Sequence, residues 1–529
     1  MTEFSSKLRD YFSSAWRSDP AERKLVRKID FFILTFCCLS YFLNYLDRTN
    51  LANAYVSGMK EDLGFQGDQL NQINTCFTVG YVLGQIPSNL SLHYVRPRYF
   101  FPAMMVVWAG LTMATATTHS PQAIMAIRFF QGIAEATTFV GTHYILGSWY
   151  TERELGKRSG IFTASGLAGT MIGGFIQSGI YTSLDNRHGL RGWRWLFLID
   201  GIITLPVALY GFLLFPDTPA TTTAPYLSQA ERQLAVSRLH LHHDRLIEPE
   251  DNNDNNNNDN NNNNHTPSTE KENKTKSPLT WTFAKTVLTS WEWWGFVMLW
   301  VIAGETESFS SNTLLALYMK SAPPSTSTHY YTVPQLNTYP TGVPAVGIVS
   351  TLFWAALTDI LGGKRYLVGY FIGVTGVATS AMILAAKGMV AADDDDGDDD
   401  PRSTVVVFAA YYWAGAVYAC QATFFAWAND AMRQREPVFR SVVLAGMNLG
   451  NNAVNAWWSI VFYGASMAPW FERGMYAMIA TSIALAVWTA GLSYVTSRAE
   501  RRRALVGGPG RSPSGGEKGD VGGPRQHFV

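Results

Sequence analysis

The sequence predicts an all-α membrane protein with twelve transmembrane helices arranged as two six-helix halves. Long apolar segments recur through the 529 residues, and 47% of all residues are hydrophobic. Only 16% are charged, compared with about 25% in average soluble proteins. A bilayer core requires about 20 mostly apolar residues per helix. On this basis the spans are predicted at residues 31–51, 71–93, 99–118, 123–146, 159–181, 195–215, 294–318, 337–360, 366–387, 404–429, 441–464 and 474–496.

Polar segments divide the chain into five regions. The tract at 251–264 contains only Asn and Asp, and such a low-complexity segment cannot bury a core. We therefore predict that this tract is disordered and that it belongs to a linker between the halves. The regions are an N-terminal segment at 1–30, a first half at 31–216, a linker at 217–290, a second half at 291–497 and a disordered tail at 498–529.

Loop charges predict the orientation in the membrane. Basic residues precede the first span, recur in the even-numbered connections and follow the last span, whereas the acidic run at 393–400 lies in an odd-numbered connection. Cytoplasmic loops of membrane proteins carry an excess of Lys and Arg. Both termini and the linker are therefore predicted to be cytoplasmic. The exception is the basic group Arg187, Arg191 and Arg194 in the fifth connection.

Several other classes of protein are disfavoured. The formal net charge is zero, which argues against nucleic-acid binding. All four cysteines fall within apolar segments, so neither a disulfide framework nor a metal site is indicated. A phosphate-cradling Gly-rich motif ending in Gly-Lys-Ser/Thr does not occur, so nucleotide hydrolysis is unsupported. We expect neither an enzyme nor a bound cofactor.

The fourth span carries the most informative residue, Glu135. A charge at bilayer depth costs at least about 2.5–3.5 kcal/mol, so such a residue usually lines a polar cavity or has a partner. Arg128 and Glu135 belong to one continuous face of this span. Because burial favours the neutral form of a carboxylic acid, Glu135 is predicted to exchange a proton near neutral pH and to couple transport to a proton gradient. The alternative is a static hydrogen-bonded strut.

The first span supplies a second group of candidates. Asn44 and Arg48 are four residues apart and share a helix face, and Asp47 lies one turn from Asn44. Arg48 is predicted to bind an anionic substrate, with Asn44 and Arg128 as further substrate-binding candidates, while Asp47 is a second candidate for proton coupling. A structural ion pair is the alternative. Arg128 and Glu135 are about 10 Å apart along the axis, so Glu135 is expected to pair elsewhere or to bind the proton.

The seventh span contains two glutamates. Glu305 shares a face with Asn312, whereas Glu307 points largely the opposite way. Both glutamates can line one pore only if the helix is locally broken, which Gly304 would permit, as in transporters that expose backbone to a site. Glu305 is predicted to take part in proton coupling and Asn312 in substrate binding.

The eleventh and tenth spans add polar and aromatic groups. Asn448 and Asn452 belong to an amide stripe that also includes Asn451 and Asn455, and amides offer both donors and acceptors to a substrate. Interhelical hydrogen bonding, typically about 0.6 kcal/mol per contact, explains the stripe equally well. Tyr418 and Gln421 are predicted to form part of an opposite wall of the substrate site, although packing is the common role of an aromatic face.

A loop motif indicates a family. In the connection between the eighth and ninth spans, Asp359 is followed by Gly362, Lys364 and Arg365. This motif resembles the loop signature of the major facilitator superfamily, and the resemblance implies that Asp359, Lys364 and Arg365 steady one conformation during gating. The alternative is ordinary positive charge on the cytoplasmic side. The equivalent loop at 91–98 keeps its basic residues but has no Asp.

Further segments are similar to one branch of that superfamily, the fungal anion:cation symporters, which include permeases for allantoate, nicotinate, biotin and pantothenate. The segments at 331–340 and 440–448 look most similar to the pantothenate permeases. The resemblance to the branch itself rests on the segments at 43–50, 128–135, 149–150 and 192–197.

The resemblance implies secondary active import of a small organic anion, such as the vitamin pantothenate, by proton symport through alternating access. It also implies a plasma-membrane location and monomeric function. Uptake of another organic acid, export of a secondary metabolite and nutrient sensing are the alternatives. Thr170 stands where antiporters usually carry Pro in the fifth span, which argues against export.

Overall fold

The computed structural model describes residues 19–150, 152–247, 281–311, 314–321, 331–361, 363–392, 401–432 and 435–506. Within these ranges the regular secondary structure is entirely helical, as predicted. The Asn-rich tract at 251–264, the end of the tail and Asn312 lie outside the described residues.

Helix α1 (Pro20–Ile29) lies in the predicted N-terminal segment and continues through a π-helical turn (Asp30–Leu34) into α2 of the first half. A second π-helical turn (Tyr55–Met59) separates α2 from the short α3. The remaining helices of this half are long. The bounds are α2 (Thr35–Ala54), α3 (Lys60–Leu63), α4 (Gln69–Tyr94), α5 (Pro97–Thr115), α6 (Pro121–Trp149), α7 (Glu152–Leu184) and α8 (Gly192–Leu214).

The linker and the second half are also helical where they are described. Two helices, α9 (Gln229–Ile247) and α10 (Trp281–Leu288), lie in the region predicted as linker. The helices of the second half are α11 (Trp291–Ser311), α12 (Leu314–Ser321), α13 (Val333–Thr338), α14 (Gly342–Ile360), α15 (Tyr366–Ala392), α16 (Pro401–Ala414), α17 (Ala419–Ala431), α18 (Pro437–Phe462) and α19 (Glu472–Val506).

Each half is held together by close helix pairs. In the first half α2 packs on α7, α4 on α6 and α5 on α8, and in the second half α11 packs on α18 and α15 on α19. The halves meet along α7 with α14 and along α4 with α18. Gly169 permits the close approach of α7 to α2, because a Cβ there would lie 2.2 Å from the backbone oxygen of Phe42.

Helices occur at all twelve predicted positions, but fewer than twelve segments of the described chain are long and apolar enough to be membrane spans. Seven segments of the described chain are long and apolar enough to cross a bilayer, or eight if the bent run from α10 to α12 is one span. The helices that fall short include α6, which carries Arg128 and Glu135, and α18, which carries the amide stripe. Twelve crossings therefore remain a prediction.

The two ends of the bundle differ. We call the end that carries α1 and α9 the linker end, where Lys28 pairs with Glu231 at 2.8 Å. We call the opposite end the far end, where the basic fifth connection lies. Arg191 and Arg194 both pair there with Asp62, at 3.4 and 3.5 Å. Local ion pairing thus explains why basic residues lie in a connection that otherwise breaks the charge rule.

Candidate functional site

A cavity of about 270 Å³ lies between the two halves. This volume is close to the lower end of the range for small-molecule sites, about 300 Å³. Arg48 and Arg128 line it from the first half, and Glu307 lines it from the second. Aromatic side chains from both halves complete the walls, namely Tyr41, Tyr45, Phe77, Tyr81, Phe139, Trp300, Tyr418 and Phe425.

Asp47 on α2 forms an ion pair with Arg128 on α6. Its Oδ1 lies 3.8 Å from Arg128 Nη1, and both side chains are almost fully buried. Arg128 Nη2 also donates to the backbone oxygen of Asp47 at 3.2 Å. Thr112 Oγ1 on α5 donates to the carboxylate at 2.6 Å. Removal of one partner of such a buried pair would leave an uncompensated charge.

Glu135 is fully buried and lies behind the cavity wall. It accepts hydrogen bonds from Asn44 Nδ2 at 2.7 Å and from Arg48 Nε at 3.3 Å. The four-residue spacing of Asn44 and Arg48 therefore brings both to one carboxylate. The expectation that Glu135 pairs elsewhere than with Arg128 agrees with this geometry.

Gln131, which the sequence interpretation missed, connects these two ion pairs. Its Nε2 donates to Asp47 Oδ2 and, at 3.0 Å, to Glu135 Oε1. Gln131 is fully buried and precedes Glu135 by four residues. That spacing on one helix face was the available signal. Because one amide group donates to both carboxylates, a change in the charge of one carboxylate alters the hydrogen bonding of the other.

Arg48 is the most exposed charged group of this network, although Arg128 also lines the cavity. Its side chain is 29% exposed, whereas those of Asp47, Arg128 and Glu135 are at most 3% exposed. The guanidinium lies 4.9 Å from the ring centres of both Phe77 and Tyr81. Such cation–π contacts fix a cation in place while leaving its N–H groups available to an anion.

The two glutamates of the seventh span, Glu305 and Glu307, form no ion pair among the described residues. Glu307 lines the cavity and accepts a hydrogen bond from Gln421 Nε2 at 2.5 Å. Glu305 faces away from the cavity; Ser308 Oγ lies 3.5 Å from its Oε2, and its Oε1 has no partner among the described residues. Helix α11 continues unbroken through Gly304, so only one of the two glutamates faces the cavity.

Gly304 serves close packing rather than a helix break. A Cβ at this position would lie 1.3 Å from Asn451 Nδ2, so the Asn451 amide occupies the space that a larger residue would fill. The amide also donates to the backbone oxygen of Trp300 at 3.3 Å. The absence of a side chain at residue 304 thus brings the amide stripe against α11.

The amide stripe of α18 lines the cavity as a group. Asn448, Asn451, Asn452 and Asn455 all contribute to its wall. Asn452 Nδ2 donates to the backbone oxygen of Asn448 at 2.8 Å, while Asn448 Nδ2 is buried without a partner among the described residues. The stripe therefore has hydrogen-bonding capacity directed into the cavity as well as helix contacts.

The remaining predicted residues divide between cavity and loop. Tyr418 and Gln421 both line the cavity. In the loop after α14, Arg365 Nε donates to Asp430 Oδ2 at 2.7 Å, which ties this loop to the end of α17. Lys364 is exposed, and the side chain of Asp359 lies outside the described residues.

Contacts between the halves close the cavity at the far end. Asn71 Nδ2 on α4 donates to the backbone oxygens of Ser459 and Tyr463 at 3.2 and 3.1 Å. Thr75 Oγ1 donates to the backbone oxygen of Ala456 at 2.6 Å. Lys320 pairs with Glu61 at 2.9 Å. On the other side the cavity extends toward the linker end, since Ser159, beside the Arg158–Asp30 pair, lines it.

Known proteins are similar to this chain over most of its length. Pantothenate transporter liz1 of Schizosaccharomyces pombe is 39% identical over 502 residues, which cover 95% of this chain and 88% of the relative. Pantothenate transporter FEN2 of Saccharomyces cerevisiae is 41% identical over 463 residues, covering 87% and 82%. The resemblance to pantothenate permeases noted from the sequence is thereby confirmed.

Solved structures share the fold at low sequence identity. The xylose transporter XylE from E. coli, in a partially occluded inward open conformation, matches with a TM-score of 0.58 and 11% identity, covering 87% of this chain and 98% of that chain. Residues 37–453 match the family described as the Major Facilitator Superfamily. The chain is therefore a multi-pass membrane transporter that belongs to the major facilitator superfamily.

Proposed function

We propose that this protein imports pantothenate, or a closely similar carboxylate, together with protons. One observation carries the proposal: Arg48 is the more exposed of the two arginines that line the cavity, and its guanidinium is held by the buried Glu135. The two relatives named as pantothenate transporters match most of the chain and therefore suggest pantothenate as the substrate. The side chains that line the cavity suit such a carboxylate.

The cavity presents different chemistry on its two sides. Arg48 offers N–H donors and a positive charge to a carboxylate. Across the cavity, Asn448, Asn452 and Gln421 offer amide donors and acceptors to hydroxyl and amide groups, and Tyr418 adds a phenol hydroxyl. Asn44 supports Arg48 from behind through Glu135, while Arg128, which is paired with Asp47, also lines the cavity as a candidate for substrate binding. Substrate binding by Asn312 stays a prediction from the sequence, because this residue lies outside the described residues.

Competition for Arg48 links the proton to the substrate. While Glu135 is ionised, its negative charge already balances the positive charge of Arg48, so a substrate anion gains little binding free energy from Arg48. Protonation of Glu135 releases that charge, so that Arg48 binds the substrate carboxylate instead. Gln131 extends the coupling to Asp47. Glu305 and Glu307 are further proton-binding candidates, because neither has a cation among its described partners.

We propose that the linker end faces the cytoplasm and the far end faces the exterior, with twelve crossings, both termini cytoplasmic, and a plasma-membrane location. The contacts of Asn71 and Thr75 then represent an outward gate that is closed. Rocking of the halves would open this gate and close the linker end. Asp359, Lys364 and Arg365 are proposed to steady that movement at the cytoplasmic surface. Monomeric function is part of the same proposal.

Labelled pantothenate uptake tests this function directly. The protein would be expressed in yeast cells that lack their own permease, with and without a protonophore. Saturable uptake that the protonophore abolishes is the expected result. Absence of uptake by protein shown to be at the cell surface would contradict the pantothenate assignment, and a panel of nicotinate, biotin and allantoate would then identify the acid transported. Uptake that persists with protonophore would contradict symport.

A further inference from the structure

A third buried carboxyl group in the first half has no part in the site described above. Asp200 lies in α8 and is 3% exposed. Its Oδ2 accepts a hydrogen bond from Asn50 Nδ2 at 2.7 Å, and no cation pairs with it within the described part of the chain. Asp47 and Glu135 each have an arginine instead. A buried carboxylate without a cation is strongly disfavoured relative to the neutral acid.

The atoms around Asp200 that lack partners indicate where a proton would reside. Asp200 Oδ1 and Asn50 Oδ1 are both buried and, among the described residues, accept no hydrogen bond. This arrangement fits a neutral carboxylic acid paired with an amide: the N–H···O bond is already present, and the two free oxygens can be joined by one O–H···O bond. A proton on Asp200 Oδ1 would donate to Asn50 Oδ1 and close a second hydrogen bond parallel to the first. One proton therefore satisfies both oxygens.

The charged groups nearby do not replace that proton. Asp47 on α2 and Glu135 on α6 oppose a further negative charge at Asp200, and Arg128, which favours it, is already paired with Asp47. Helices α5 and α7 also pack near α8. Their described basic side chains, Arg98 and Arg158, are engaged at the linker end with Thr223 and Asp30.

A polar path leads from Asn50 toward the far end. A Cβ at Gly173 would lie 3.7 Å from Asn50 Oδ1 and 3.6 Å from Asn53 Nδ2, so these two amides flank one small space. Asn53 in turn lines a second cavity of about 30 Å³, together with Asn337. This exceeds the about 10–15 Å³ that a buried water molecule requires. Asn53 Nδ2 and Asn337 Oδ1 lack partners among the described atoms, so they offer such a water one donor and one acceptor.

We propose that Asp200 and Asn50 hold a second exchangeable proton, which enters and leaves along Asn53 and the smaller cavity at the far end. On release, the O–H bond of Asp200 breaks and the proton passes to water, and uptake reverses this step. The role of this proton in transport rests on the proposed function, but its presence on Asp200 does not depend on any substrate.

Infrared spectroscopy of the purified full-length protein tests the protonated acid. A protonated carboxyl group has a C=O stretch that a carboxylate lacks. We expect this absorption in the wild type at neutral pH, its partial loss in Asp200→Asn, and a shift when the wild type contains ¹³C-carboxyl aspartate. Asn at residue 200 can still form two hydrogen bonds with Asn50. If labelling shifts nothing in this region, Asp200 is ionised and the proposal is wrong, whether or not the variant folds.

Exchange of the proton for deuterium tests the path. Ala at residue 173 would fill the space between Asn50 and Asn53 at ordinary contact distance. In Gly173→Ala we expect the aspartate absorption to remain but its exchange to slow by about tenfold, equivalent to an added barrier of about 1.4 kcal/mol. Gly179→Ala is the matched control, because nothing lies within 4 Å of a Cβ at that position of the same helix.

Equal exchange rates in Gly173→Ala and the wild type would overturn the path, as would equal slowing in Gly179→Ala. Both measurements are made without substrate. Failure of pantothenate uptake would therefore leave this proposal standing, and failure of the spectroscopic tests would leave the proposed substrate standing.

Discussion

The two walls of the cavity handle buried acidic groups differently. In the first half Asp47 and Glu135 each have an arginine, and Gln131 joins the two pairs. In the second half Glu307 has only the donors of Gln421 and Cys420 among its described partners. The first wall is therefore built to hold ionised carboxylates, whereas the second holds a glutamate that neutral hydrogen bonds satisfy. Two buried acidic groups can therefore function differently, because their ion-pair and hydrogen-bond partners differ.

The largest expected effect is on stability, from removal of an arginine in the first half. Arg128→Leu leaves Asp47 buried without its cation, and we expect a loss of about 3–5 kcal/mol in the free energy of unfolding. Chemical unfolding in detergent micelles measures it. Adding Asp47→Asn should restore much of the loss. Arg191→Leu, at an exposed pair with Asp62, is the matched control and should cost at most about 1 kcal/mol.

Arg48 should affect binding more than stability, because its side chain is partly exposed. A hydrogen bond to a charged group contributes about 1.5–3 kcal/mol, so Arg48→Gln should weaken substrate binding by about tenfold to more than a hundredfold. Isothermal titration with the purified protein measures this. Arg48→Lys keeps the charge and should recover part of the affinity. Unchanged affinity in Arg48→Gln would place the substrate carboxylate elsewhere.

The second half should tolerate neutralisation better. Glu307→Gln keeps the size and hydrogen-bonding capacity of the side chain, and no cation among the described residues is left unpaired. We expect less than about 1 kcal/mol of destabilisation, comparable to one hydrogen bond within the membrane. Glu135→Gln, measured in parallel, should cost more because it leaves Arg48 unpaired. Equal costs in the two variants would remove the contrast between the halves.

The smallest effect is expected at the linker end. Burial acts to raise the pKa of Glu231, but hydrogen bonds from Lys28 and Ser228 outweigh it and hold the pKa below its usual value. The resulting stabilisation is present at neutral pH and is lost as the pH falls through the lowered pKa. Glu231→Gln should cost at most about 1 kcal/mol at pH 7. A pH series of unfolding curves, in which the variant and wild type converge in acid, checks this.

The sequence predicted the helices and grouped the first-half candidates, because both steps follow from local rules. Apolar length located the helices, and the four-residue spacing grouped Asn44 with Arg48. The packing of α2 against α6 determines which carboxylate accepts their hydrogen bonds, and spacing along one helix does not reveal that packing. The same limit applies to Asp200 and Asn50, which lie 150 residues apart.

In the seventh span, helix geometry correctly placed Glu305 and Glu307 on different faces. It did not indicate which face meets the cavity, because that depends on Asn451 packing against Gly304. The structure directs Glu307 into the cavity and leaves Glu305 behind it. The helices α9 and α10 were missed within the region predicted as linker, because neither resembles a membrane span. Helix α10 has only 8 residues, and the 19 residues of α9 include charged and histidine side chains along their length.

The central claim is that protonation of Glu135 frees Arg48 for the substrate. The most direct test compares two modes of transport by Glu135→Gln in vesicles of purified protein, with labelled pantothenate. Exchange of labelled for unlabelled substrate requires no net proton movement, whereas accumulation driven by a pH gradient does. The account predicts that exchange persists and gradient-driven accumulation is lost. Accumulation at the wild-type level would show that another group carries the proton and would contradict the account.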